Sequence, residues 1–176
     1  MELEPNRLRT APEQTIDIEA PAALIARTQQ PSGEIPWCHG QKTDPWDHVE
    51  AAMGLATAGY LTGARRAYDW LAARQLPDGS WYSAYVEGAV QDPTRDANLT
   101  AYVAVGVYHY YLLTADRGAV AALWPTVERA IDFAVSLQAP TGEIYWAVSP
   151  EGSVDRMALL TGSSSIFMSI KCALAL

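Results

Sequence analysis

Apolar residues recur at helical spacing in six stretches, separated by polar segments rich in Pro and Gly. The pattern predicts a first helix over 20–29. A second opens at "DPWDHVEAAMGLATAGY", with Asp44 as N-cap, Pro45 at the first helical position, Asp47 in the first turn and Gly59 at the end. A third covers 63–75. A fourth starts at "DPTRDANLTAYVAVGVYHYYLLT", with Asp92 as its cap. In the fifth, "GAVAALWPTVERAIDFAVSLQ", Val120, Trp124, Val127, Ile131 and Val135 share one face, and Pro125 kinks the helix or resets its start. A sixth opens at "TGSSSIFM", where Ser and Thr suit capping better than phosphate binding. Strand-like alternation is brief and confined to "EIPW" and "EIYW". The expected class is all-α, an array of α-hairpins.

The connections carry a second pattern. Short turns join helices two to three and four to five, and long loops make the other joins. Each long loop opens with Gln-x-Pro-x-Gly and then a Trp: "QQPSGEIPW" from Gln29, "QLPDGSWY" from Gln75 and "QAPTGEIYW" from Gln138. Gln ends a helix, Pro prevents its continuation and Gly permits the turn. The Trp is expected to plug the gap between neighbouring helices. Residues 1–18 read as a polar N-terminal tail and 19–176 as one helical-repeat domain.

This alternation puts all three long loops on one face, with helix N-termini pointing at it. The acid/base candidates gathered there are Asp47, Glu50, Asp92 and Asp96. Trp37, His39, Trp46, His48, Trp81, Tyr82, Tyr85 and Trp146 are the candidates for lining a substrate site. Asp44 and Asp92 also read as plain helix caps, and Asp47 and Glu50 as partners for Arg65 or Arg66. Aromatic platforms beside carboxylates suit two chemistries: cleavage of a glycosidic bond by paired acids, and carbocation chemistry on a terpene.

Composition narrows the field. The 176 residues carry a net charge of -8 and no basic stripe, which argues against a nucleic-acid partner. No apolar run has membrane-spanning length, and the N-terminus has no secretory h-region, so a cytoplasmic location is expected. The two cysteines, Cys38 and Cys172, form no metal motif. Cys38 beside His39 lacks further spaced ligands, so neither metal nor cofactor is expected.

The phrase "WLAARQLPDGSWY" resembles the Q-W repeat of the terpene cyclase and prenyltransferase superfamily. With "PWDHVEAAMGL", "AYVAVGVYHYYLLT" and "ALLTGSSSI", the chain from Leu24 onward resembles a group of actinobacterial proteins labelled prenyltransferase. The resemblance implies an α/α toroid of six hairpins, of which three are counted, so about half a ring that is incomplete at its C-terminal side, where the sequence ends in the apolar "CALAL". It implies a prenyltransferase or terpene-cyclase-like transferase acting on an isoprenoid or lipid-linked substrate in the ring mouth, with self-association through the open ring. The Asp-x-Asp-Asp and Asp-Asp-x-x-Asp motifs of that chemistry are absent. Two alternatives stand beside it: a six-hairpin carbohydrate-active enzyme using paired carboxylates, and a non-catalytic scaffold.

Overall fold

The computed structural model describes residues 16–176, so the expected tail lies almost wholly outside the described residues. Among the described residues seven helices run in chain order: α1 Glu19–Thr28, α2 Pro45–Thr57, α3 Leu61–Arg74, α4 Ala97–Ala101, α5 Val103–Thr114, α6 Arg117–Ser136 and α7 Leu160–Ala175. They form two rows. In the inner row α2 packs on α5 and α5 on α7. In the outer row α1 and α3 pack on α2, and α6 packs on α4, α5 and α7.

The inner row is close-packed. A Cβ on Gly106 of α5 would stand 2.5 Å from Val49 Cγ1 of α2 and 2.9 Å from the Tyr68 hydroxyl of α3. Only glycine lets these helices meet at that depth. Around it Val49, Leu55, Tyr68, Leu71, Val107 and Val127 form the main core. A second cluster, with Ala97, Ala101, Phe133 and Ile166, ties α4, α6 and α7 together.

Four expectations change. The fourth helix does not start at Asp92; it starts at Ala97, where Asp96 Oδ1 accepts from the amides of Asn98 and Leu99 at 2.7 and 2.9 Å. Asp92 instead closes a local turn by accepting from Thr94 N–H at 2.9 Å. In α6 the buried stripe is Ala119, Leu123, Val127, Ala130 and Ala134, while Trp124 and Val135 are exposed. Small residues face the inner helices because they allow close approach, and a bulk-weighted pattern reads the neighbouring stripe. Pro125 lies inside α6 without ending it. The sixth expected helix, α7, begins at Leu160 without a side-chain cap.

The long loops carry short strands that the sequence pattern does not show: a hairpin of β1 Ala84–Val86 and β2 Ala89–Asp92, and an antiparallel sheet in the order β3 Arg95–Asp96, β4 Ala147–Val148, β5 Val154–Asp155. These stitch the loops into one surface. Thr43 bridges Tyr85, joining the first loop to the second, and β3 pairs with β4, joining the second to the third.

The repeated phrase is a structural clamp. Gln29 Nε2 donates to Gly33 O across its own turn at 3.0 Å and to Gly63 O of α3 at 2.9 Å. Gln75 Nε2 does the same to Gly79 O at 2.8 Å and to Thr126 O of α6 at 2.9 Å. Gln138 Nε2 donates to Gly142 O at 2.9 Å. Of the three tryptophans, only Trp81 plugs a helix gap, buried with its indole N–H on Leu71 O at 2.8 Å. Among the described residues no helix is long and apolar enough to cross a membrane.

Candidate active site

Two phrase tryptophans point to a different place. Trp37 Nε1 donates to Asp44 Oδ2 at 2.9 Å, and Trp146 Nε1 donates to Asp96 Oδ2. Asp44 and Asp96 are the N-caps of the inner-row helices α2 and α4, so each cap carboxylate holds a helix start with one oxygen and an indole with the other. Between these two starts lies a cleft of about 390 Å³ lined by Lys42, Asp44, Asp47, Asp92, Asp96, Trp46 and Trp146 among others. The stitched loops wall it, and four carboxylates against one lysine line it.

Asp47 is the chemically distinctive group. It sits one turn into α2, and its backbone N–H, not its carboxyl, serves the cap, donating to Asp44 Oδ1 at 2.9 Å. Partial burial first, then the Asp44 charge and a hydrogen bond with Asp44, push its carboxyl up to about 6 from 3.8; the Glu50 charge adds to this and Trp37 opposes it. Asp96 is also raised, chiefly by burial, against the hydrogen bonds it accepts. Acidic groups crowd one cleft, and the carboxyl of one of them is pushed up to about 6.

The remaining candidates divide by exposure. Trp46 lines the cleft, its ring fixed by stacking on Tyr102 at 3.7 Å. Glu50 is exposed outside the cleft lining and accepts from the Tyr102 hydroxyl at 3.2 Å. Trp37 is exposed with Lys42 over its ring at 4.1 Å, and His39 is exposed in the first loop. Tyr82 is half-buried. Trp81 and Tyr85 are buried in the core, and the Tyr85 hydroxyl accepts from Tyr82 N–H at 3.1 Å, so neither presents a face to a substrate. Arg65 pairs with Asp69 and Arg66 bonds Gln29, so the expected pairing with Asp47 or Glu50 does not form. Among the described residues no group of three His, Cys, Asp or Glu side chains is placed to hold a metal.

His48 is a core group. It is fully buried; Nδ1 accepts from Ile35 N–H at 3.1 Å, which leaves Nε2–H to donate to Ala67 O at 2.9 Å. It therefore fastens the first loop to α3 as a neutral ring and has no surface for a ligand. Burial depresses its pKa to about 4 from 6.5. A depressed value means stability present above pH 6.5 and lost as the pH falls toward 4. Acid should remove about 3 kcal/mol through this group. A His48→Gln chain, measured by denaturant melts from pH 7 to 4, should lose less stability over that window than the parent.

Asp44 is the site group that sequence reading undervalues. As an Asp before Pro45 it reads as a cap, and the cap is real. Its position beside Asp47 and its bond to Trp37 come from loop folding, which no spacing encodes.

No family model matches the chain. It is 53% identical over 155 residues to the MMP endo-(1,4)-3-O-methyl-alpha-D-mannosidase of Mycolicibacterium hassiacum, a match covering 88% of this chain and 43% of that protein. The chain thus spans less than half the length of this relative. Among solved structures, the cellobiose 2-epimerase of Bacillus thermoamylovorans superposes with a TM-score of 0.66 at 17% identity, over 88% of this chain and 45% of that one. A family 76 glycoside hydrolase (mannosidase) of Bacteroides thetaiotaomicron gives 0.62 at 14% identity, over 81% and 42%. These findings overturn the resemblance to prenyltransferases and terpene cyclases, and with it the isoprenoid function expected from the sequence. The physical reason is visible in the clamp: the Q-W-like phrase serves helix docking and carries no prenyl chemistry. The fold expectation holds, and the chain forms part of an α/α toroid.

Proposed function

We propose that this chain contributes one side of the active site of a glycoside hydrolase that cuts inside α-linked, O-methylated mannose chains. The observation that carries this reading is Asp47: a carboxyl lifted to about 6, in a cleft with aromatic walls. The named activity of the 53% identical relative supports the choice of sugar.

Hydrolysis needs a proton delivered to the glycosidic oxygen and a second, ionised carboxylate that either activates a water or attacks the anomeric carbon itself. Asp47 is the donor: near neutral pH a usable fraction is protonated, and its neighbours favour re-protonation after each turnover. Asp44 and Asp96 have both oxygens engaged, so they position the helices and supply negative potential for the oxocarbenium-like transition state. Asp92, which accepts only from Thr94 N–H, is the base candidate on this side of the cleft. Trp46 and Trp146 offer flat faces for sugar rings.

Thermal melting tests the substrate class. A 3-O-methylated α-1,4-mannose oligosaccharide at about 100 times its Kd should add about 2.7 kcal/mol to native-state stability, and a prenyl diphosphate should add none. The reverse pattern would overturn the reading.

A further inference from the structure

The segment 92–96 separates two cavities. Asp92, Thr94 and Asp96 line the cleft of the candidate active site, whereas Pro93 and Arg95 line a second cavity of about 380 Å³. This is the alternation of an extended chain, in which successive side chains point to opposite sides. The neighbouring segment divides in the same way, with Ser83 toward the cleft and Tyr82 toward the second cavity. The Ser83 N–H and hydroxyl both donate to Thr94 O, at 2.7 and 2.9 Å, so the partition is a hydrogen-bonded pair of segments. The second cavity lies between the second and third long loops, at the rim beyond the cleft wall, with Pro77 and Asp78 on one side and Pro150 on the other.

The make-up of the rim cavity selects for a neutral, hydroxylated ligand. Pro77, Pro93 and Pro150 offer apolar faces and no backbone donor. Tyr82 adds an aromatic face, and its ring leans on that of Tyr85 with centroids 6.3 Å apart. Among the described residues the charged side chains in its lining are Arg95 and Asp78, and they pair with each other. An anion placed here would meet Asp78 and a cation would meet Arg95, so neither gains a net field. Asp78 stays ionised: burial raises its pKa, but hydrogen bonds from Ser80 and Arg95 outweigh that and lower it. The pair keeps capacity for a ligand. Arg95 Nη1 donates to Asp78 Oδ2 and Nη2 to Ser149 O at 3.4 Å, and among the described residues its Nε–H has no acceptor. The two side chains remain 22% and 34% exposed. A guanidinium beside a carboxylate offers donors and acceptors together, and a sugar hydroxyl, itself both, can use them at once.

We propose that the rim cavity binds a further neutral sugar unit of the glycan whose scissile bond lies in the cleft. The ring of that unit stacks on Tyr82, and its hydroxyls bond Arg95 and Asp78. This rests on the cleft being a mannoside site, as proposed above. An enzyme that cuts inside a glycan holds units on both sides of the broken bond, and the partition is only one pair of segments wide. A long oligosaccharide therefore occupies both cavities at once, and a short one the cleft alone.

Calorimetric titration of the Asp47→Asn chain, in which cleavage is slowed, tests this with 3-O-methylated α-1,4-mannose oligosaccharides of two lengths. A decasaccharide should bind about 10-fold more tightly than a trisaccharide. Adding Tyr82→Leu or Arg95→Gln should remove that gain and leave the trisaccharide Kd unchanged. Equal affinity for the two lengths, or a gain that either substitution leaves intact, would overturn the rim site while the reading of the cleft stands. So would an equal loss at both lengths, which would make the Arg95–Asp78 pair a tie between loops and no more. Binding of neither length would overturn the reading of the cleft, and the rim site with it.

Discussion

Asp47→Asn should lower the rate of oligosaccharide cleavage by about 10³-fold, the range for loss of a general acid, while substrate binding and fold are retained. The side chain accepts no helix-capping bond, because the cap is Asp44, so α2 keeps its start. Stability should rise slightly above pH 6, because a raised carboxyl pKa opposes folding once the group ionises: its favourable contribution is present below 3.8 and lost as the pH passes about 6. Steady-state kinetics with parallel melts check both parts. A variant that loses fold and rate together would remove Asp47 from the chemistry. The companion Asp44→Asn lacks the neighbouring charge, so in it the alkaline limb of activity should move to lower pH.

The second large effect concerns the frame. Gly79→Ala should destabilise the chain by about 3 kcal/mol, lowering Tm by about 8 °C. Two causes add. Its φ of 91° disfavours any Cβ, and that Cβ would stand 2.2 Å from the Arg129 carbonyl, a backbone atom fixed in α6. Gly152→Ala separates them. Its φ is 89° and its Cβ position is open, so only the conformational cost, about 1 kcal/mol, is expected there. Equal losses at the two positions would mean that the turn does not bear on α6 as the clamp requires.

The helices and the loop alternation are readable in the chain because each helix has its own start and stop: Asp44 before Pro45, Gln-x-Pro-x-Gly after α1, α3 and α6. The start of α4 is not readable in the same way. Asp92 before Pro93 has the better local signature, yet Asp96 caps the helix, because pairing of β3 with β4 fixes the backbone up to residue 96. The buried stripe of α6 is misread for a related reason: alanines that let helices approach give a weaker pattern than Trp124 and Val135, which stay exposed. In the cleft, Asp47, Asp92 and Asp96 are nameable as mouth residues from loop position. What separates them, a carboxyl raised by burial and by Asp44 in one and oxygens engaged by a helix start and an indole in another, comes from contacts across loops. His48 and Trp81 show the converse. Both look like mouth residues by position, and both turn inward because a backbone carbonyl, Ala67 or Leu71, is there to receive their N–H. The family resemblance fails at the same point. It follows the clamp, which docks helices, and does not reach the residues that line the cleft.

The central claim is the proposal that this cleft is one side of a mannoside-cleaving site, with Asp47 as its proton donor. Incubation with a 3-O-methylated α-1,4-mannose oligosaccharide, followed by mass spectrometry of the fragments across pH, tests it most directly. The account predicts internal fragments whose yield falls as the pH rises through about 6, released about 10³-fold more slowly by Asp47→Asn. An oligosaccharide left intact at every pH, or fragments that Asp47→Asn releases as fast as the parent, would contradict it.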